Sequence, residues 1–195
     1  MGELVAKPSL TDRMVRAARL ETGLYNEVEA DVTATSQALT VVVITALAGG
    51  IGAALGEALG GRATGVVGGL IGGVVAELLG WLVWSYVMYL VGTRVFHGTA
   101  TYGELLRTLG FANSPGVLLI LRFVPVLGGL IALIVGIWRI VAGFIAVREA
   151  LDLDNGNTVA TIVVGIVAYL IVLLIVGVVL ATLGLGASVL TGGLA

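Results

Sequence analysis

Glu77 lies inside an apolar run, residues 61–80, that reads GRATGVVGGLIGGVVAELLG. A charge at bilayer depth costs ~2.5–3.5 kcal/mol on insertion scales, so this carboxylate needs a bundle interior, water or a counter-charge. Arg139, within a later apolar run, and Arg122, near the outer end of another, are the candidate partners. An intramembrane Glu/Arg pair can form a substrate, ion or proton site. It can equally be a structural ion pair, or an acid kept neutral by burial.

Other reactive chemistry is sparse. The chain has no cysteine and one histidine, His97, which excludes disulfides, thiolate metal sites and multi-histidine zinc sites. Ser36, Ser85, Ser114 and Ser188 sit in no G-x-S-x-G setting, and one histidine is poor equipment for a Ser–His pair. The loop Asp152-Leu-Asp154-Asn-Gly-Asn157 resembles a calcium loop only superficially: its glycine comes one position early and its twelfth position is Val163. It reads as a turn in which Asn157 or Thr158 caps the next helix. No catalytic, cofactor-binding or metal-ligating residues are expected, and the function classes that need them are disfavoured.

The glycines around Glu77 have three possible uses. A phosphate cradle needs a preceding strand and a Lys-Ser/Thr or distant acidic partner, none of which is present. A flexible linker would not have Val, Leu and Ile in its gaps. The spacing suits helix packing in a membrane, in the manner of a glycine zipper. Gly61, Gly65, Gly69 and Gly73 recur every fourth residue, and Gly52, Gly56 and Gly60 repeat the pattern upstream. The first reading is that these faces pack the first two spans together, so that Gly69→Leu would disrupt the fold. A homo-oligomer face is the second.

The elements that position these residues follow from composition. Of 195 residues, 58% are hydrophobic and 11% charged, and mean hydropathy is +1.12; a soluble domain carries roughly 25% charged residues. Net charge is −2, which implies no nucleic-acid partner. An all-α integral membrane protein is expected, with about five transmembrane helices near 37–56, 63–91, 111–124, 127–147 and 158–183, the third broken by Pro115 and Pro125. Residues 1–36 form a cytoplasmic or interfacial segment, 37–184 the transmembrane domain and 185–195 a short tail.

The first residues lack a signal-peptide h-region, so the first apolar helix serves as the insertion signal. Over 9–35, Leu10, Met14, Ala18, Leu24, Tyr25 and Val28 recur at helical steps. This reads as an amphipathic helix on the membrane surface, with Arg13, Arg16 and Arg19 toward headgroups, or as a solvated helix leading into the bilayer. Thr101 and Glu104 form a capping box for a second interfacial helix that also carries Arg107. Tyr89 suits the aromatic belt, whereas Trp81, Trp84, Tyr86 and Trp138 suit either belt or packing. With the N-terminus inside, Lys7, Arg13, Arg16, Arg19, Arg94, Arg107 and Arg148 fall on the cytoplasmic side and Arg62 and Arg122 outside. The basic residues therefore favour N-in, C-out.

The run TYGELLRTLGFANSPGVLLI and the later IWRIVAGFIAVREALDLDNGNTVATIVVG resemble the Yip-domain membrane proteins, five-span relatives of proteins that interact with Ypt/Rab GTPases. The resemblance covers roughly Leu10–Leu180. It is carried by Leu109-Gly110-Phe111-Ala112, Pro115, Trp138, and Arg148-Glu149 ahead of Asn157-Thr158-Val159-Ala160. The stretch RMVRAARLETGLYNEVEADVTATSQAL is similar to short prokaryotic members, many of which have Asp-Pro where this chain has Asp31-Val32. The resemblance implies N-in, C-out topology, a bacterial inner-membrane location and a role without catalysis. Eukaryotic relatives act as membrane partners and oligomers in vesicle traffic.

The expected function is thus a non-catalytic membrane scaffold or accessory protein that organises the bilayer or binds other integral membrane proteins or further copies of itself. The alternative is a small transporter or channel using the Glu/Arg pair.

Overall fold

The computed structural model describes residues 8–61 and 66–182; Lys7, Arg62, Gly65 and the 185–195 tail lie outside the described residues. The helices are α1 (Leu10–Ala18), α2 (Thr22–Ala30), α3 (Ala34–Leu59), α4 (Val66–Arg94), α5 (Tyr102–Ala112), a 3-10 helix (Ser114–Phe123), α6 (Leu127–Leu151) and α7 (Asn155–Thr182). Among the described residues four of them, α3, α4, α6 and α7, are long and apolar enough to cross a membrane.

The expected third span, 111–124, differs. Phe111 and Ala112 close α5, and Pro115 opens the ten-residue 3-10 helix, where its missing N–H costs nothing in the first turn. This segment runs beside α3 in parallel. Substituted β-carbons at Gly110, Gly116 and Gly49 would meet Ala38, Thr45 and Leu119 in turn, and one at Gly56 would meet Phe123. At 1.5 Å per residue, Ala38–Gly56 rises about 27 Å. Gly110–Phe123 matches that height with five fewer residues, because a 3-10 helix advances ~2.0 Å per residue.

The expected single surface helix over 9–35 is also different. Ser9 Oγ caps α1 by accepting from the Asp12 N–H at 3.1 Å. The chain then reverses at Leu20, whose φ is 62°, and continues as α2. The apolar stripe that suggested a membrane-surface helix is largely covered by the chain itself: Leu24, Tyr25 and Val28 are fully buried, as is the neighbouring Ala17, and Leu10, Met14 and Ala18 are half-buried. The fully buried residues join Ala38, Val42, Leu105, Phe111, Ala146 and Leu151 in one core at a single end of the bundle. Folding the stripe inward satisfies it without lipid.

The capping box of α5 forms as the sequence predicts, with the Glu104 N–H donating to Thr101 Oγ1 at 3.3 Å and the Thr101 N–H donating to Glu104 Oε2 at 2.7 Å. At α7 the cap is Asp154 rather than Asn157 or Thr158. Its Oδ1 accepts from the N–H groups of Gly156 (2.8 Å) and Asn157 (3.0 Å). The 152–154 turn is tied to the α4–α5 connection by Thr99, whose hydroxyl donates to Asp152 at 2.7 Å. Away from this packed end, α7 beyond Tyr169 is exposed from Leu170 to Leu180 except at the half-buried Val172.

Candidate functional site

Arg139 stands midway along α6, Glu77 midway along α4, and Asn113 at the C-cap of α5. Arg139 Nη2 donates both to the Glu77 carboxylate and to Asn113 Oδ1. Asn113 is oriented for this by its own amide, whose Nδ2 donates to the Leu109 carbonyl at 2.9 Å. Gly116 lies beside the arginine stem: a β-carbon there would be in ordinary contact with Arg139 Cδ at 3.8 Å and tight against Thr45 Cβ at 3.1 Å. The pair is half-buried, with side-chain exposures of 30% and 34%, and the two charges compensate each other.

This node forms part of the wall of a cavity of about 800 Å³ bounded by α4, α6 and α7 and floored by Leu109 and Ala112 of α5. Its remaining lining is apolar or aromatic, including Trp84, Phe144 and Tyr169. Trp84 and Tyr169 meet edge-on with ring centroids 5.6 Å apart. Asn113 is the site residue that sequence reading missed. Its signal was an amide between two apolar segments, two residues before Pro115.

The second candidate arginine, Arg122, is elsewhere: it is exposed and shares a smaller hollow of about 230 Å³ with Gly52, Gly56 and Glu57. Gly52 and Gly56 receive the 3-10 helix rather than α4. A β-carbon on Gly52 would collide with the Leu119 carbonyl and lie 2.9 Å from the Ile120 carbonyl. Gly50, two positions before the expected stripe, is where α3 admits Leu70 of α4. On α4, a β-carbon at Gly68, Gly69, Gly72 or Gly73 would meet nothing within 4 Å. Gly61 terminates α3 in a turn at φ 75°, also in open space.

The basic residues expected to face lipid headgroups are largely engaged by protein. Arg13 is only 3% exposed; it donates to Glu27 (2.9 Å), Asp31 (2.8 Å) and Gln37 (2.8 Å), joining α1 to α2 and α3. Arg16 pairs with Glu27 at 2.6 Å and Glu21 at 3.2 Å, and its hydrogen bond to Glu27 holds its pKa above the ordinary value. Arg19 is exposed. The Thr33 hydroxyl, followed by Arg13, holds the Asp31 carboxyl down at about 2. Arg107 is buried, donating to the Val28 carbonyl at 2.8 Å and to the Glu29 carbonyl, which are orphan acceptors at the end of α2. Burial, with Asp152 and Glu104 nearby, pushes Glu29 up to about 7. Trp81 and Trp138 act in packing, their indole N–H groups donating to the carbonyls of Leu106 (3.1 Å) and Ala18 (2.8 Å).

The Yip1 domain matches residues 25–189, taking in most of α2 and every element from α3 to the end of α7. The chain belongs to the Yip1 domain family. Yip1 is not known as an enzyme family, and the several long apolar helices make this Yip1-domain chain a multi-pass membrane protein. No curated protein and no solved structure matches it.

Proposed function

We propose that this Yip1-domain chain is a non-catalytic membrane scaffold that binds other integral membrane proteins, or further copies of itself, through the glycine face of α4. One observation carries the reading: Gly68, Gly69, Gly72 and Gly73 offer a close-approach surface that the chain's own helices leave open. In lipid, small-residue faces are where a second helix gains packing. Beside them, Val67, Ile71 and Val75 are exposed. The parallel climb of Gly110–Phe123 alongside α3 supports a fifth crossing, and the basic residues support N-in, C-out placement in a bacterial inner membrane.

The test is to isolate the tagged chain from its native membrane in mild detergent, alongside Gly69→Leu and Gly72→Leu. The expected result is loss of a stoichiometric partner or of the dimer with the melting temperature retained, since no internal neighbour is displaced. Unchanged association would overturn the reading. The alternative, a small transporter or channel, draws on the Glu77–Arg139 pair beside the cavity. It requires Glu77→Gln to abolish a flux in liposomes while leaving the fold intact.

A further inference from the structure

We propose that the cavity between α4, α6 and α7 is a binding site for a single hydrocarbon chain with an uncharged hydrogen-bonding head, an alcohol or carbonyl lipid, whose head is held at Arg139, Glu77 and Asn113.

The volume of about 800 Å³ lies within the ~300–1,000 Å³ of ligand sites. A helix with its side chains is ~10 Å across and 5.4 Å per turn, displacing about 400 Å³ a turn, so the space equals about two turns, well short of the ~20 residues of a transmembrane helix. A flexible chain fits it. Three glycines line the void, Gly73, Gly80 and Gly143; a β-carbon on Gly73 or Gly143 would meet nothing within 4 Å, and one on Gly80 would lie 3.5 Å from the Tyr169 hydroxyl. The mouth opens toward lipid: Ile140, Val163 and Ile166 line the cavity yet are 73%, 55% and 45% exposed. A chain can therefore enter sideways from the bilayer.

The head chemistry follows from charge. Glu77 already neutralises Arg139, so an ionised head would add an uncompensated charge at bilayer depth. An uncharged oxygen adds none. A guanidinium carries donors on three nitrogens, and both hydrogen bonds described for Arg139 leave from Nη2. The other nitrogens can donate to a hydroxyl or carbonyl oxygen, and the Glu77 carboxylate can accept from a hydroxyl. This site shares Gly73 with the α4 glycine face but does not rest on the scaffold reading, because its walls and its polar node belong to helices of one chain.

The experiment uses the full chain in nanodiscs with a diazirine-bearing hexadecanol, and peptide mass spectrometry locates the label. Label should concentrate at Trp84, Phe144 and Tyr169 relative to the outward α7 residue Leu174. Gly143→Leu, which has space to fold, should lower cavity labelling at least ten-fold without changing that at Leu174. With wild-type protein at pH 8, unlabelled hexadecanol should compete at least ten-fold better than hexadecanoate. Labelling that Gly143→Leu leaves intact, equal competition by hexadecanoate, or a photo-crosslinker at position 143 that captures protein instead of lipid would each overturn the proposal. If Gly143→Leu fails to fold, the wild-type label distribution and the competition decide.

Discussion

Arg139 donates one hydrogen bond to Glu77 and another to Asn113, and removing one member of the ion pair strands the other charge. Arg139→Leu should therefore lower thermal stability in detergent more than the double variant Glu77→Leu/Arg139→Leu, since an apolar pair restores neutrality. A double variant as unstable as Arg139→Leu would show that the pair is not energetically linked. Glu29 gives a pH signature. Its carboxyl titrates at about 7 in the fold against 4.5 for the free group, raised by burial, with Asp152, Glu104 and Glu149 adding to it and Arg107 opposing. Between those values the folded state holds more protons than the unfolded one, so stability falls as pH rises through that window. Melting curves of Glu29→Gln should lose that slope. Asp31 has the opposite sign, its contribution being present above 3.8 and lost as pH falls toward about 2. Sequence could place an acid and two arginines at membrane depth, but the choice of Arg139 over Arg122 depends on the relative heights of α4 and α6, which residue types do not encode. Arg13 illustrates the same limit, because its carboxylate partners lie in α2 and at its end, beyond a chain reversal at Leu20.

The long helices were legible from run length alone, and α5 from its capping box. What lies against a glycine face was not: a four-residue spacing announces a narrow surface without naming what rests on it. On α3 the neighbour is the 3-10 helix, so Gly52→Ala should destabilise the fold, its methyl colliding with the Leu119 carbonyl. Gly69→Ala, facing open space, should be neutral or stabilise the isolated chain by up to ~1 kcal/mol, the helix-propensity gain. Thermal unfolding of both in detergent checks the pair, and equal melting temperatures would contradict the placement of the 3-10 helix. That helix was itself hidden, because its stretched rise leaves no mark in composition.

Across the whole molecule, one end is tightly packed and the other splays. The packed end gathers α1, α2, α5 and the 152–154 turn; the far end carries the α3 terminus at Gly60 and the turn at Val126, which is 98% exposed. The chain has no native cysteine, so each introduced thiol reports alone. On the N-in reading, Gly60→Cys and Val126→Cys should react with a membrane-impermeant maleimide in intact cells, while Arg19→Cys and Asn157→Cys should react only after lysis. The reverse pattern would invert the orientation.

The taut segment from Gly110 to Phe123 has a practical consequence for reporter fusions. A tally restricted to long helices gives an even number of crossings and returns the end of α7 to the side of α1. Counting the taut segment sends it to the opposite side. On the N-in reading, a fluorescent protein joined after Thr182 would then be exported unfolded and stay dark, whereas alkaline phosphatase at the same joint would be active.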